Sequence, residues 1–143
     1  EKRVLSSNGV VVRFSNVIGN GMSKNTVLQD ILKQLPGKGS LKIYNAHPIK
    51  DFILIDDVVD AITSLLKKDT SGIFNIGTGT ETSINKLIEE VLKISKQHNR
   101  EIKSIIKNPK YSYSALNIEK INKITGWKPR FSLPLSIKKM LNS

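Results

Sequence analysis

Five residues, Val10-Val-Val-Arg-Phe14, constrain this chain most. Four of the five are β-branched or aromatic, and the run leads straight into a loop, Ser15 to Ser23, that holds Gly19, Gly21 and two asparagines. A near-continuous apolar run of strand length suits a strand covered on both faces of a parallel sheet. Parallel neighbours cannot be joined by a tight hairpin and need helical crossovers. Ile73 to Ile76 is a second run of this kind, so helices are expected to fill much of the sequence between them.

The sequence between and around these runs meets that demand. Glu1 to Asn8 reads as the end of a helix closed by Gly9. Thr26 can cap a helix from Val27 to Leu35, where Val27, Leu28, Ile31, Leu32 and Leu35 follow helical spacing and Pro36-Gly37 stops it. Leu41 to Tyr44 and Asp51 to Ile55 read as short strands around a polar turn. Asp56 or Asp57 can cap a helix running to Lys68, with Lys67-Lys68 suited to its C-terminal end. Ser83 can cap the longest helix, to about Gln97, along a stripe of Ile84, Leu87, Ile88, Val91, Leu92 and Ser95. Ile102 to Ile106 reads as a strand, Asn117 as the cap of a helix to Thr125, and Ser132 as the cap of a last one. Alternating strands and helices define an α/β chain. No internal repeat or long linker divides its 143 residues, which suit one domain or part of one.

Two further constraints come from composition. Cysteine is absent, which excludes disulfides and thiolate metal sites and fits a cytoplasmic location. His47 and His98 lack partners at metal-ligand spacing, so no metal is expected. No apolar run approaches the roughly 18 residues of a membrane span, and no signal-peptide pattern is present. Net charge is +11, with Lys supplying 19 of the 23 basic residues. That balance admits a polyanionic partner. The lysines, however, are scattered without a basic block or interleaved aromatics, so nucleic acid is the weaker explanation and a Lys-, Ile- and Asn-rich compositional bias the simpler one.

Several short motifs carry chemistry. Asn16 follows the Val10–Phe14 strand where side chains emerge at its carboxyl end, the ligand side of open α/β sheets. Its amide can donate to phosphate oxygens without the cost of a buried charge, although a turn asparagine beside glycines reads the same way. Asn25-Thr26 opens a helix whose free N–H groups suit an anion or an ordinary cap. Tyr44 could stack on a base or simply face an edge strand. Asp56-Asp57 is better read as a cap than as a metal pair. Gly77-Thr-Gly79 lacks the full dinucleotide or P-loop spacing and reads as a structural link. Trp127 reads as a packing anchor. Neither a nucleophile elbow nor a glycosidase-like carboxylate pair appears.

Taken in order, Val10-Val-Val-Arg-Phe-Ser-Asn-Val-Ile-Gly-Asn-Gly21, Lys50-Asp-Phe-Ile-Leu-Ile-Asp-Asp57, Phe74-Asn-Ile-Gly-Thr-Gly79 and Gly126-Trp-Lys-Pro129 resemble the C-terminal half of an extended short-chain dehydrogenase/reductase of the nucleotide-sugar epimerase and dehydratase group. The resemblance implies parallel edge strands of a Rossmann-type sheet plus a small mixed substrate-binding subdomain. It implies a nucleotide-sugar substrate, with NAD or NADP carried by an N-terminal half that also holds the Tyr-x-x-x-Lys catalytic pair. This chain then contributes no catalytic residue, is inactive alone, binds no cofactor alone, and has that half as a partner, with a homodimer also open. Strands that would form the far edge of a larger sheet support the same expectation on physical grounds, because alone they expose an apolar edge.

By the same resemblance, Asn16, Asn25 and Thr26 contact the substrate diphosphate, and Val17 and Ile18 lie near the nicotinamide. Lys42 and Tyr44 belong to the strand that lines the nucleobase pocket. Lys50 stands where the family has a phosphate-holding Arg, and Tyr113 where it often has a second. Lys neutralises phosphate as a point charge without the bidentate fork, and Tyr keeps only a hydroxyl. The turn Asn45-Ala-His-Pro48 also lacks the family's usual glycine pair. These departures leave open a non-catalytic binding or regulatory module of the same ancestry, and more remotely a basic nucleic-acid-binding domain.

Overall fold

The computed structural model describes residues 1–109 and 111–142. Its elements in chain order are α1 (Lys2–Ser6), β1 (Val10–Phe14), β2 (Asn16–Ile18), α2 (Val27–Gln34), β3 (Leu41–Ile43), β4 (Ile49–Lys50), β5 (Phe52–Leu54) and α3 (Ile55–Leu66). They continue with β6 (Gly72–Ile76), β7 (Thr82–Ser83), α4 (Ile84–Ile94), β8 (Ile102–Ser104), β9 (Tyr113–Ser114), α5 (Glu119–Thr125) and α6 (Leu133–Leu141). The α/β class holds, and so does the parallel pairing. β1 pairs with β6 in register from Val10↔Gly72 to Phe14↔Ile76, β2 pairs with β5, and β3 pairs with β8, all parallel. The small mixed sheet is β7-β4-β9, antiparallel on one side of β4 and parallel on the other.

Two apolar clusters fill the interior. One joins α2, α4 and α6 to β3 and β5 through Leu28, Ile31, Leu41, Ile43, Phe52, Leu87, Ile88, Val91 and Ile137. The other packs α3 and α5 on the β1–β6 pair through Val58, Ala61, Leu65, Phe74, Ile76, Ile121 and Trp127. The β2–β5 pair stands between them. Its side chains alternate, as strand geometry requires: Ile18 and Phe52 belong to the first cluster, Val17 and Ile53 to the second. Trp127 is thus the packing anchor its position suggested.

The capped helices form where the sequence places them. Thr26 Oγ1 accepts from Gln29 N at 3.3 Å and Ser83 Oγ accepts from Lys86 N at 3.1 Å. Behind both caps the apolar spacing puts one face of the helix into the first cluster. The stripe on α4 buries Ile84, Leu87, Ile88, Val91 and Leu92, while the helix ends at Ile94, short of Gln97.

Other expectations need correction. The Ser15–Ser23 segment contains a strand, β2, held by β5. The polar turn between Leu41–Tyr44 and Asp51–Ile55 contains a further short strand, β4, and the flanking strands β3 and β5 pair with β8 and β2. Ile55 opens a helix rather than ending a strand. Neither Asp56 nor Asp57 caps α3. Leu54 occupies the N-cap position with no side-chain bond, and Asp57 is fully buried inside the first turn. Asn117 Oδ1 accepts from Glu119 N at 2.8 Å, one residue ahead of the N-cap Ile118. Ser132 is an N-cap by position, without a side-chain cap bond. At the end of α1 the left-handed residue is Asn8 (φ 56°) rather than Gly9, a conformation Asn tolerates better than most residues. Gly9 is required for a different reason, because a Cβ there would lie 2.6 Å from Val4 Cγ1.

Candidate functional site

Residues expected to act together, though separated by a loop, line one cavity. It has a volume of about 340 Å³ and is bounded by Asn16, Val17 and Ile18 on one side and by Asn25, Thr26, Val27 and Leu28 on the other, with Met22 and Phe52 completing the wall. Strand β2 brings the first group there, and the N-terminal turn of α2 brings the second. Thr26 spends its hydroxyl on capping, accepting from Gln29 N and donating to Ser23 O at 3.2 Å. The first N–H groups of a helix have no intrahelical partner; here they belong to Val27 and Leu28, both of which line the cavity. The rim therefore combines backbone donors, an exposed Asn amide and an apolar strand. Ile18 itself is 2 % exposed and contributes more to the core than to the wall.

Asn16 is held in place. Its backbone N donates to Asp51 O at 2.9 Å and its side-chain Nδ2 donates to the same oxygen at 3.0 Å. Asp51 is fully buried. Its carboxylate accepts from Thr78 N at 3.0 and 3.1 Å, from Thr78 Oγ1 at 2.6 Å and from Gly79 N at 3.0 Å. The Gly77-Thr-Gly79 loop is therefore an anion cradle in geometry, as successive backbone N–H groups allow, but the anion it holds is the chain's own. This agrees with its reading as a structural link. Sequence reasoning gave Asp51 no role. No local signal marks it, because the burial of its carboxylate against the 78–79 turn shows only in the fold.

The other expected residues lie outside that cavity's lining. Lys42 and Tyr44 stand on the exposed side of β3, alternating with buried Leu41 and Ile43, and Tyr44 is 71 % exposed. The β3 edge at Lys42 is closed by the Gln34 amide, which accepts from Lys42 N and donates to Lys42 O, each at 2.9 Å. Lys50 and Tyr113 sit on neighbouring strands of the mixed sheet, with Lys50 opposite Ser114 and Tyr113 opposite Ile49. The Lys50 ammonium has no carboxylate partner among the described residues.

Tyr113 is engaged by a residue that sequence reasoning did not consider. Its hydroxyl donates to Glu81 Oε1 at 2.5 Å. This bond, helped by partial desolvation and by the carboxylate's charge, holds the Tyr113 phenol above the ordinary tyrosine value. The protonated form is thus favoured in the folded chain. Its contribution to stability is complete below the ordinary value near 10 and is lost as pH rises through the higher folded value. Replacing Glu81 with Gln should bring the titration of one tyrosine back toward that ordinary value. Phenolate absorbance against pH, compared between the two proteins, measures it; superimposable curves would show that Glu81 does not hold the phenol.

The match to known families decides how the site is to be compared. The family model described as GDP-mannose 4,6 dehydratase matches residues 7–140. The chain belongs to this family. GDP-mannose 4,6-dehydratase family membership places it among the extended short-chain dehydrogenases/reductases, as the order of its motifs implied. The chain is 26% identical to CDP-abequose synthase of Salmonella muenchen, over 92% of this chain and 46% of that protein. It is 28% identical to human dTDP-D-glucose 4,6-dehydratase, over 92% of this chain and 40% of that protein. Among solved structures, RMD from Pseudomonas aeruginosa complexed with NADPH shares the fold with a TM-score of 0.86 at 23% identity, over 94% of this chain and 48% of that one. UDP-glucose 4-epimerase of Thermotoga maritima, solved with UDP-glucose, gives 0.77 at 26% identity, over 94% and 45%. The chain thus spans less than half the length of these relatives.

Proposed function

We propose that this family member supplies the nucleotide-sugar binding half of an NAD(P)-dependent sugar epimerase or dehydratase, with proton and hydride transfer residues in sequence outside this chain. The observation that carries the reading is the single cavity shared by Asn16, Val17, Ile18, Asn25 and Thr26. A diphosphate there would meet neutral donors: the remaining Asn16 amide hydrogen and the open N–H groups of α2, aided by the positive end of the helix. Lys50 and Tyr44 would serve the outer phosphate and the base. Such contacts give orientation, keeping the sugar in line for reaction while its own substituents change.

The nicotinamide dinucleotide fits this chain only at one ring. The cofactor supplies hydride acceptance and return when bound. The half-buried Val17 offers its ring an apolar wall beside the cavity. For its diphosphate the Gly77–Gly79 cradle is closed, because Asp51 fills it. Cofactor affinity is accordingly assigned to the remainder of a longer polypeptide, and this chain alone to substrate contact.

A second reading rests on Glu81. A carboxylate bonded to Tyr113, where the family often has a cation, lowers the attraction of the site for diphosphate and suits a module that binds without turnover. The experiment separates the readings. Titrating the isotope-labelled chain with UDP-glucose, dTDP-glucose and GDP-mannose should move the amide signals of Asn16, Val17 and Thr26 with at least one of them, and Lys50→Ala should weaken that binding about ten-fold, the loss of one charged contact. No movement with any of the three removes the cavity as a nucleotide-sugar site. In a longer polypeptide carrying Tyr-x-x-x-Lys, turnover of the bound sugar nucleotide supports the enzyme and binding without turnover supports the module.

A further inference from the structure

Two carboxylates are fully buried among the described residues, Asp51 and Asp57, and they do different work. Asp57 ties α3 to the segment before α6, accepting from Arg130 N at 3.0 Å and Phe131 N at 3.1 Å, with the Arg130 guanidinium alongside. Asp51 has no ion-pair partner among the described residues. Its carboxylate is held at one end by three donors of the 78–79 turn. At the other end its carbonyl receives both the backbone and the side-chain N–H of Asn16. One residue is therefore anchored through its side chain and grips, through its main chain, an amide that lines the cavity.

That arrangement has a functional cost and a functional gain. Burying a carboxylate requires full hydrogen bonding, which the turn provides. In return the position of residue 51 is fixed, and with it the direction of its carbonyl. Asn16 has a short side chain with broad freedom about its last torsion. Bonding one Nδ2 hydrogen to a fixed carbonyl sets the plane of the amide. Its Oδ1 and second hydrogen then have no other partner among the described residues, and they face a ligand already oriented. A preorganised donor binds more tightly than one that must be ordered on binding.

We propose that Asp51 is a positioning residue, clamped by Thr78 and Gly79, that presents the Asn16 amide to the diphosphate of the ligand. The proposal rests on the reading of the cavity given above, and its test separates the two. Side-chain amide relaxation of Asn16 is measured in the labelled chain without ligand, and affinity is measured with uridine diphosphate as the probe. Asp51→Asn should raise the mobility of the Asn16 side-chain amide and weaken uridine diphosphate about five-fold, the scale of one neutral hydrogen bond. Asp57→Asn is the control. It removes a charge of equal burial and should lower stability in urea while leaving Asn16 and the affinity unchanged, which a merely structural role for Asp51 would not distinguish.

An Asn16 amide that stays ordered in Asp51→Asn, or that loosens equally in Asp57→Asn, overturns the proposal. Should Asp51→Asn fail to fold, Thr78→Val removes the 2.6 Å hydroxyl bond to Asp51, together with the one that hydroxyl accepts from Thr80 N, while leaving the Thr78 and Gly79 backbone donors in place; it should loosen Asn16 in smaller degree, with Thr78→Ser restoring it. An unchanged amide in Thr78→Val also overturns the proposal. If Asp51→Asn frees the amide while the unsubstituted chain binds no uridine diphosphate, the positioning of Asn16 stands and the cavity reading fails.

Discussion

Replacing Phe74 with alanine is expected to destabilise the chain by about 3–5 kcal/mol, a large share of the 5–15 kcal/mol that holds a typical domain. Phe74 has no exposed surface and lies at the middle of β6. Its ring packs within the second apolar cluster, with Lys120 Nζ 4.4 Å from its centroid. That ammonium also donates to Ile73 O at 2.9 Å, so it bridges α5 to the strand and covers the ring at once. Truncation removes the largest group in this cluster after Trp127 and leaves a void that β-sheet backbone cannot close. Urea denaturation checks it, with Phe14→Ala as the comparison. Phe14 is 44 % exposed and should cost about 1–2 kcal/mol, since only part of its area leaves water. Equal losses from the two substitutions would mean that α3 and α5 do not cover β6 as described.

The second large effect is expected at Gly77. A methyl group there would lie 2.5 Å from Asp51 Oδ2 and 3.2 Å from both Cβ and Oγ of Ser15. The backbone at Gly77 is not left-handed, so the intolerance comes from the carboxylate beside it. Gly77→Ala should cost about 1–3 kcal/mol by overpacking and should disturb Asn16 through Asp51. The cause can be isolated with a double substitution. In an Asp51→Ser background the neighbouring oxygen is withdrawn, and Gly77→Ala should then cost much less than it does alone. Coupling of this kind is expected only for residues in contact. Strictly additive losses in thermal unfolding would refute the close approach as the cause.

What the sequence made legible was local. Thr26 and Ser83 announce their helices because a cap acts within three residues and the apolar spacing follows at once. The β1 and β6 runs are legible because a strand covered on both faces is apolar throughout. Asn16, Val17, Ile18, Asn25 and Thr26 were assigned to one site by the family resemblance that the motif order carries, not by any local signal.

What was hidden depends on pairing across long separations. The strands β2, β7 and β9 have two or three residues each, too few for a period to show, and exist only through their partners. Asp57 looks like a helix cap until the donors to its carboxylate are traced to Arg130 and Phe131, 73 and 74 residues away. Asp51 looks like part of a motif until Thr78 is seen 27 residues later. Tyr113 looks like a weakened phosphate contact until Glu81 is found to hold its hydroxyl. In each case a buried or bonded polar group is explained by a distant partner, which no window along the sequence contains.

The strand pair that separates the two apolar clusters also limits how this chain can change in length. Along β2 and β5, neighbouring side chains serve opposite interiors. Gaining or losing one residue between Phe52 and Leu54 would send every following side chain to the wrong interior, inverting both at once. Most sheets with a solvated face lose one interior to such a slip; here no face is free to absorb it. Insertions and deletions should therefore be survivable at Lys107 and Asn108, whose side chains are exposed and which lie outside every strand, and lethal to folding in the three residues after Asp51.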